Sequence, residues 1–268
     1  MRTETDDTLL SCENIVKRYG ALTAVDRLSL QVRAGEVLGI GGPNGAGKTT
    51  LFDMISGVTK ATEGRIVFKS RDITRLPPHK ASPQGLARTF QLNAAFDSLS
   101  VEENVLCSAY FGRANILFPQ LRYPPATREA ARAALSTTGL EAAHDRKAGS
   151  LTVLQRKQLM IACALATRPS VLLLDEPVGG LNVAEIDQTI EMIDKVRNEW
   201  PVTIILIEHV MRFLVALCDR IVIMHHGRKI YEGPISGLAG DRQVVEVYLG
   251  EGAARRLRDA AERQACHA

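Results

Sequence analysis

One segment limits what this chain can become more than any other. Gly42-Pro43-Asn44-Gly45-Ala46-Gly47-Lys48-Thr49 matches G-x-x-x-x-G-K-[ST] at every fixed position. It leaves a short apolar, β-branched run, residues 36–40, and opens a helical stretch, residues 48–56, which is the context the pattern needs. Glycines let successive backbone N–H groups turn inward as an anion cradle, and the following helix adds the positive end of its dipole. Lys48 brings a cation to the β- and γ-phosphates of a nucleotide, and the Thr49 hydroxyl can ligate Mg²⁺. With Thr50 next in the helix, residues 42–50 form a candidate nucleotide cradle. A plain glycine-rich turn would not require the lysine and the hydroxyl that follow.

The rest of the chain alternates between strand-like and helical patterns. Residues 9–16, 24–32 and 65–69 are β-branched-rich runs bounded by Gly20, Ala34-Gly35 and Gly64. From about 101 to 149 the chain is rich in Ala, Arg and Glu at helical spacing, broken at Pro119, Pro124 and Pro125. The end returns to alternation: helix 152–166, strand 171–174, helix 184–199, strand 202–207, then a hairpin with arms 220–224 and 229–231. Such alternation predicts a parallel sheet covered on both faces. The strand at 171–174 runs into Asp175-Glu176-Pro177. It would deliver Asp175 to a Mg²⁺ shell at the sheet's carboxyl edge and leave Glu176 to polarise a water. Alone, the acidic pair could be a solvated turn; beside a phosphate loop it reads as chemistry.

Several classes are excluded by composition. Lys+Arg 33 against Asp+Glu 30 leaves +3, too weak to argue for nucleic acid or an anionic membrane surface. No apolar run approaches the roughly 18 residues a spanning helix needs, and the polar start lacks the core of a secretion signal, so a cytosolic chain is expected. Cys12, Cys107, Cys163, Cys218 and Cys266 are dispersed, which reads as reduced thiols rather than a disulfide or zinc framework. His225 and His226 beside Gly227 read as turn residues, so neither they nor the cysteines are assigned as metal ligands.

The remaining landmarks carry a resemblance. Tyr19 in Val16-Lys17-Arg18-Tyr19-Gly20, Gln91 in Arg88-Thr89-Phe90-Gln91, Asp175-Glu176-Pro177, Gly180-Leu181-Asn182 and Ile207-Glu208-His209 follow the order found in ATP-binding-cassette (ABC) ATPases. Gly20-Ala21-Leu22-Thr23-Ala24-Val25 and the terminal Tyr248-Leu249-Gly250-Glu251 are most similar to the ATPase subunits of branched-chain amino acid importers. The resemblance covers about residues 9–250. It implies an α/β P-loop NTPase fold with a RecA-like core (about 9–95 and 152–250), a helical subdomain (about 96–151) and an N-terminal antiparallel β region, followed by a tail at 251–268. It also implies ATP and Mg²⁺ as ligands, Tyr19 stacking on adenine, Gln91 reaching the metal and water, Glu176 as general base and His209 at the γ-phosphate. Asn182 would lie in a loop crossing to a second ATPase subunit. The implied partners are that subunit and transmembrane permease subunits, met at the cytoplasmic face of the membrane. The helical region and the segment after Gln91 would form the docking surface.

One stretch departs from the family pattern. Where such ATPases carry Leu-Ser-Gly-Gly-Gln, this chain has Leu151-Thr152-Val153-Leu154-Gln155, and Met160, Cys163 and Val210 also differ from the usual residues. Glycines there would let backbone N–H groups approach a partner's γ-phosphate, so a heterodimer with an intact-signature partner is expected over a homodimer. Two other readings remain open: a nucleotide-binding subunit with weak turnover, and a soluble ABC ATPase outside transport.

Overall fold

The computed structural model describes residues 7–90, 94–112 and 122–250; Gln91, Cys266 and the 251–268 tail lie outside the described residues. In chain order the elements begin with β1 (Thr8–Tyr19), β2 (Leu22–Arg33), β3 (Val37–Gly41), α1 (Lys48–Ile55), β4 (Glu63–Phe68) and β5 (Arg71–Asp72). Next come α2 (Pro78–Ala81), β6 (Leu86–Arg88), α3 (Val101–Phe111), α4 (Pro125–Thr137), α5 (Val153–Ala166), β7 (Val171–Asp175), α6 (Val183–Glu199) and β8 (Thr203–Ile207). The described chain closes with α7 (Met211–Leu217), β9 (Arg220–His225), β10 (Arg228–Gly233), α8 (Arg242–Val244) and a π-helical turn, Val245–Leu249.

Two compact units result. The first takes residues 7–55, 59–75 and 207–250. Its antiparallel sheet has the order β2-β1-β4-β5, and the alternation of β2 explains why it can be half wet. Leu28, Leu30 and Val32 point into the core while Arg27, Ser29, Gln31 and Arg33 face out. In the same unit β3 pairs parallel with β9, which pairs antiparallel with β10. All five residues of β3 are buried, as a strand covered on both faces must be.

The second unit takes residues 56–58 and 76–206. Here β6 runs parallel to β7, and every residue of β7 is buried. The helices α3, α4 and α5 pack against one another. Three of this unit's helices start on capping boxes written in the sequence: Ser100 with Glu103, Thr152 with Gln155, and Asn182 with Glu185. The strand β6 is only three residues long, too short to show a period, and α7 follows Val210 without a side-chain cap; neither was expected from the sequence.

Candidate nucleotide site

The first unit holds the phosphate loop between β3 and α1, and backbone sterics dictate its glycines. Gly42 has φ +139, and a Cβ there would lie 2.2 Å from the Met224 carbonyl oxygen. Gly47 has φ +97, and a Cβ would lie 2.3 Å from the Ala24 carbonyl oxygen. Both neighbours are main chain and cannot swing away, so only glycine fits. The loop is also hydrogen-bonded to its supports. The Gly227 N–H at the β9–β10 tip donates to the Ala46 carbonyl at 3.0 Å, and the Asp26 N–H of β2 donates to the Gly227 carbonyl at 2.9 Å.

Lys48 is 8% exposed, and its ammonium donates to the carbonyls of Gly42 (2.7 Å) and Pro43 (3.0 Å), which hold the cation over the loop. Asn44, Gly45 and Thr49 are exposed, Pro43 and Thr50 half-buried and Ala46 buried. Tyr19, at the end of β1, is exposed with the Lys17 ammonium 4.8 Å from its ring centroid. His209 follows β8 with an exposed ring, 3.7 Å from the carboxylate of Glu208. Glu208 is fully buried; its Oε2 accepts from the N–H groups of His209 (3.0 Å) and Val210 (3.4 Å), fixing the corner where the histidine stands.

The second unit holds the carboxylates. Asp175 ends β7, and its Oδ2 accepts from Arg88 Nη2 at 2.9 Å; both side chains are nearly fully buried. Arg88 also donates to Ser56 Oγ (3.1 Å), and its guanidinium lies 4.9 Å from the Phe90 ring centroid. A buried ion pair of this kind is weak as a stabilising device, since desolvation offsets the attraction. Its presence at the end of a core strand points to a functional requirement for the charge. Thr89 ties the two strands together: its N–H donates to the Leu173 carbonyl (2.9 Å) and its Oγ1 accepts from the Asp175 N–H (3.4 Å).

Glu176 adopts φ +47, a left-handed conformation that a non-glycine residue rarely takes. Its carbonyl accepts from Lys157 Nζ (2.9 Å) and from the Gly179 N–H (3.2 Å), contacts that hold the strained backbone. The altered signature opens α5: Thr152 Oγ1 accepts from the Gln155 N–H, and Gln155 Oε1 accepts from the Thr152 N–H, each at 3.2 Å. Thr152 and Gln155 thus have a role within the chain, as does Asn182, whose side chain accepts from the Glu185 N–H (3.0 Å). Sequence reasoning gave no role to Lys157 and none to Arg88 beyond its place in a motif. Nothing in their spacing to Glu176 or Asp175 signals a contact.

A loop whose Gly42 and Gly47 admit no Cβ, with the buried Lys48 ammonium held on its carbonyls, fits a nucleotide triphosphate tail. Taken separately, the Thr49 hydroxyl of the first unit and the Asp175 carboxylate of the second are each hard oxygens of a kind Mg²⁺ takes. The fold and cradle define a P-loop nucleotide-binding protein. The family of ABC transporters matches residues 25–179, more than half of the chain, and the protein belongs to that family. Among curated relatives, the high-affinity branched-chain amino acid transport ATP-binding protein LivG of Salmonella typhimurium is 35% identical over 250 residues, 91% of this chain and 98% of its own. BraF of Pseudomonas aeruginosa, described in the same words, shows the same identity and coverage. The lipopolysaccharide export system ATP-binding protein LptB of Acidithiobacillus ferridurans is 33% identical over 243 residues, 91% of this chain and 97% of its own. A crystal structure of the ADP conformation of an ABC transporter's ATP-binding cassette superposes with a TM-score of 0.81 at 34% identity, covering 91% of this chain and 99% of that one. The fold is therefore that of an ABC ATPase.

Proposed function

We propose that this chain is the ATP-binding and ATP-hydrolysing subunit of an ABC importer for branched-chain amino acids or similar small solutes. The observation that carries this reading is the full-length similarity to LivG and BraF, combined with a phosphate cradle intact at every position. The cassette runs over residues 9–250, with its helical subdomain at about 96–151. Residues 42–50 bind the phosphates and Tyr19 stacks on the adenine. Thr49, Gln91 and Asp175 hold Mg²⁺, which when bound neutralises phosphate charge. Glu176 takes the proton of the attacking water, and His209 holds the γ-phosphate. The catalytic set is then Glu176, His209 and Gln91.

The partners are transmembrane permease subunits and a second ATPase subunit of unlike sequence, assembled at the cytoplasmic face of the membrane. Among the described residues no helix is long and apolar enough to cross a membrane, which supports separate permease subunits. Exposed Val58, Phe90, Phe96 and Phe111 line one groove in the second unit, an apolar surface suited to a partner.

A weak-turnover role is the second reading, favoured by Leu154 where a glycine would open a close approach. The first test is Lys48→Ala. Removing the cation while leaving the backbone cradle should weaken ATP binding about 100-fold or more, read by titration with a fluorescent ATP analogue. Unchanged binding would sink the phosphate-loop assignment. Co-expression with candidate permease subunits and uptake of radiolabelled leucine into proteoliposomes then separates the importer from the weak-turnover reading.

A further inference from the structure

Strand β7 is buried along its whole length, and the residue that follows it, Glu176, turns left-handed at φ +47. A glutamate keeps such a backbone only where the surroundings over-determine it. Two donors do so here, both on the Glu176 carbonyl. The Gly179 N–H, at 3.2 Å, closes a turn over residues 176–179. The Lys157 ammonium reaches the same oxygen at 2.9 Å from α5, 19 positions away in the chain. The ammonium is the stronger donor of the two because it is charged. Lys157 is half-buried, and with Asp175, Pro177 and Gly179 it lines a cavity of about 180 Å³ beside the end of β7. The side chain of Glu176 follows the same turn. A Cβ on Gly179 would stand 3.6 Å from the Glu176 carbonyl oxygen and 3.8 Å from its Oε2, so carbonyl and carboxylate both lie over Gly179. All of these residues belong to the second unit.

We infer that Lys157 is a positioning residue of the reaction, holding Glu176 in its left-handed backbone and thereby setting where the carboxylate stands. The inference rests on the reading above of Glu176 as general base, whereas the lysine–carbonyl bond does not. Without the ammonium, residue 176 is free to relax toward the right-handed or extended regions that a glutamate prefers, and its carboxylate moves with it. A base displaced by about 1 Å loses up to roughly 100-fold in rate. Lys157 acts through the backbone of Glu176 and needs no contact with the reacting atoms.

Lys157→Met keeps an apolar stem and removes the ammonium, and Lys157→Arg returns a charged donor. In Lys157→Met, kcat for ATP should fall at least about tenfold while KM changes less than about twofold, and Lys157→Arg should recover most of the loss. A double-mutant cycle separates positioning from general support of the fold. In a Glu176→Gln chain, which lacks the base, adding Lys157→Met should slow the residual hydrolysis less than about twofold. Slowing by the same factor in both backgrounds, or an unmoved kcat in Lys157→Met alone, overturns the inference. Carbon-detected nuclear magnetic resonance reads the bond itself. The Glu176 carbonyl carbon should shift upfield in Lys157→Met, having lost the charge that polarises it, while that of Leu174 within β7 stays in place. An unshifted Glu176 resonance overturns the contact. Full-rate hydrolysis by Glu176→Gln, or no turnover by the unmodified chain, would instead strike the base or the ATPase reading and the positioning role with it, and the carbonyl resonance would still decide the bond.

Discussion

The phosphate loop and the start of α5 are both glycine sites in the ABC pattern, and this chain keeps the first set while losing the second. The structure shows why the two losses would differ. At Gly42 and Gly47 a Cβ would collide with main-chain oxygens of the same unit, Met224 and Ala24, so glycine is demanded by the chain's own fold. At Val153 and Leu154 the helix forms with ordinary side chains on its first two residues, Val153 is 55% exposed, and the capping box holds. Among the described residues no contact asks for glycine there. A glycine needed for folding is thus legible from one subunit, whereas one needed for a partner's ligand leaves no trace in it. Thr152 and Gln155 teach the same lesson in reverse: they persist with a job inside the chain, as reciprocal caps.

The largest effect should come from the carboxylate end of β7. Glu176→Gln should retain ATP binding while slowing hydrolysis about 10²–10⁴-fold, as loss of a general base does; a steady-state phosphate-release assay with a parallel nucleotide titration reads both. Equal hydrolysis rates would remove Glu176 from the role. Next, Gly47→Ala should destabilise the first unit by roughly 3 kcal/mol, the sum of left-handed strain and a backbone clash, seen as a lower denaturation midpoint. An unshifted midpoint would show that the Ala24 carbonyl can yield and would blunt the contrast with α5.

The double change Val153→Gly/Leu154→Gly probes the other side of the comparison. It should cost up to about 2 kcal/mol of helix stability yet raise turnover of the chain assembled with itself by about tenfold or more, up to the 10³-fold scale of an oxyanion donor. Fast turnover of the unmodified chain alone, unaltered by the glycines, would remove the argument for an unlike partner subunit. The smallest effect belongs to Thr152→Ala. Loss of one cap should lower stability by about 1 kcal/mol in thermal melting with ATP affinity unchanged; a large loss of affinity instead would mean that the threonine does more than cap α5.

Much of this was written in local sequence. The phosphate loop announces itself because its chemistry is contiguous: glycines, lysine and hydroxyl lie within residues 42–49, directly after the strand. The buried strands β3, β7 and β8 and the long helices α5 and α6 follow from unbroken apolar runs and from helical spacing with their caps. What only the tertiary structure decided is every relation across distance. Arg88 meets Asp175 from 87 positions away, and Tyr248 stands 40 positions from the Glu208 it contacts. Glu176 takes a left-handed backbone held by Lys157, although nothing in its residue type asks for it. The physical reason is common to all three. Hydrogen bonds between neighbours in sequence are set by backbone periodicity, whereas these form only once packed strands and helices have brought distant side chains together and excluded water from around them.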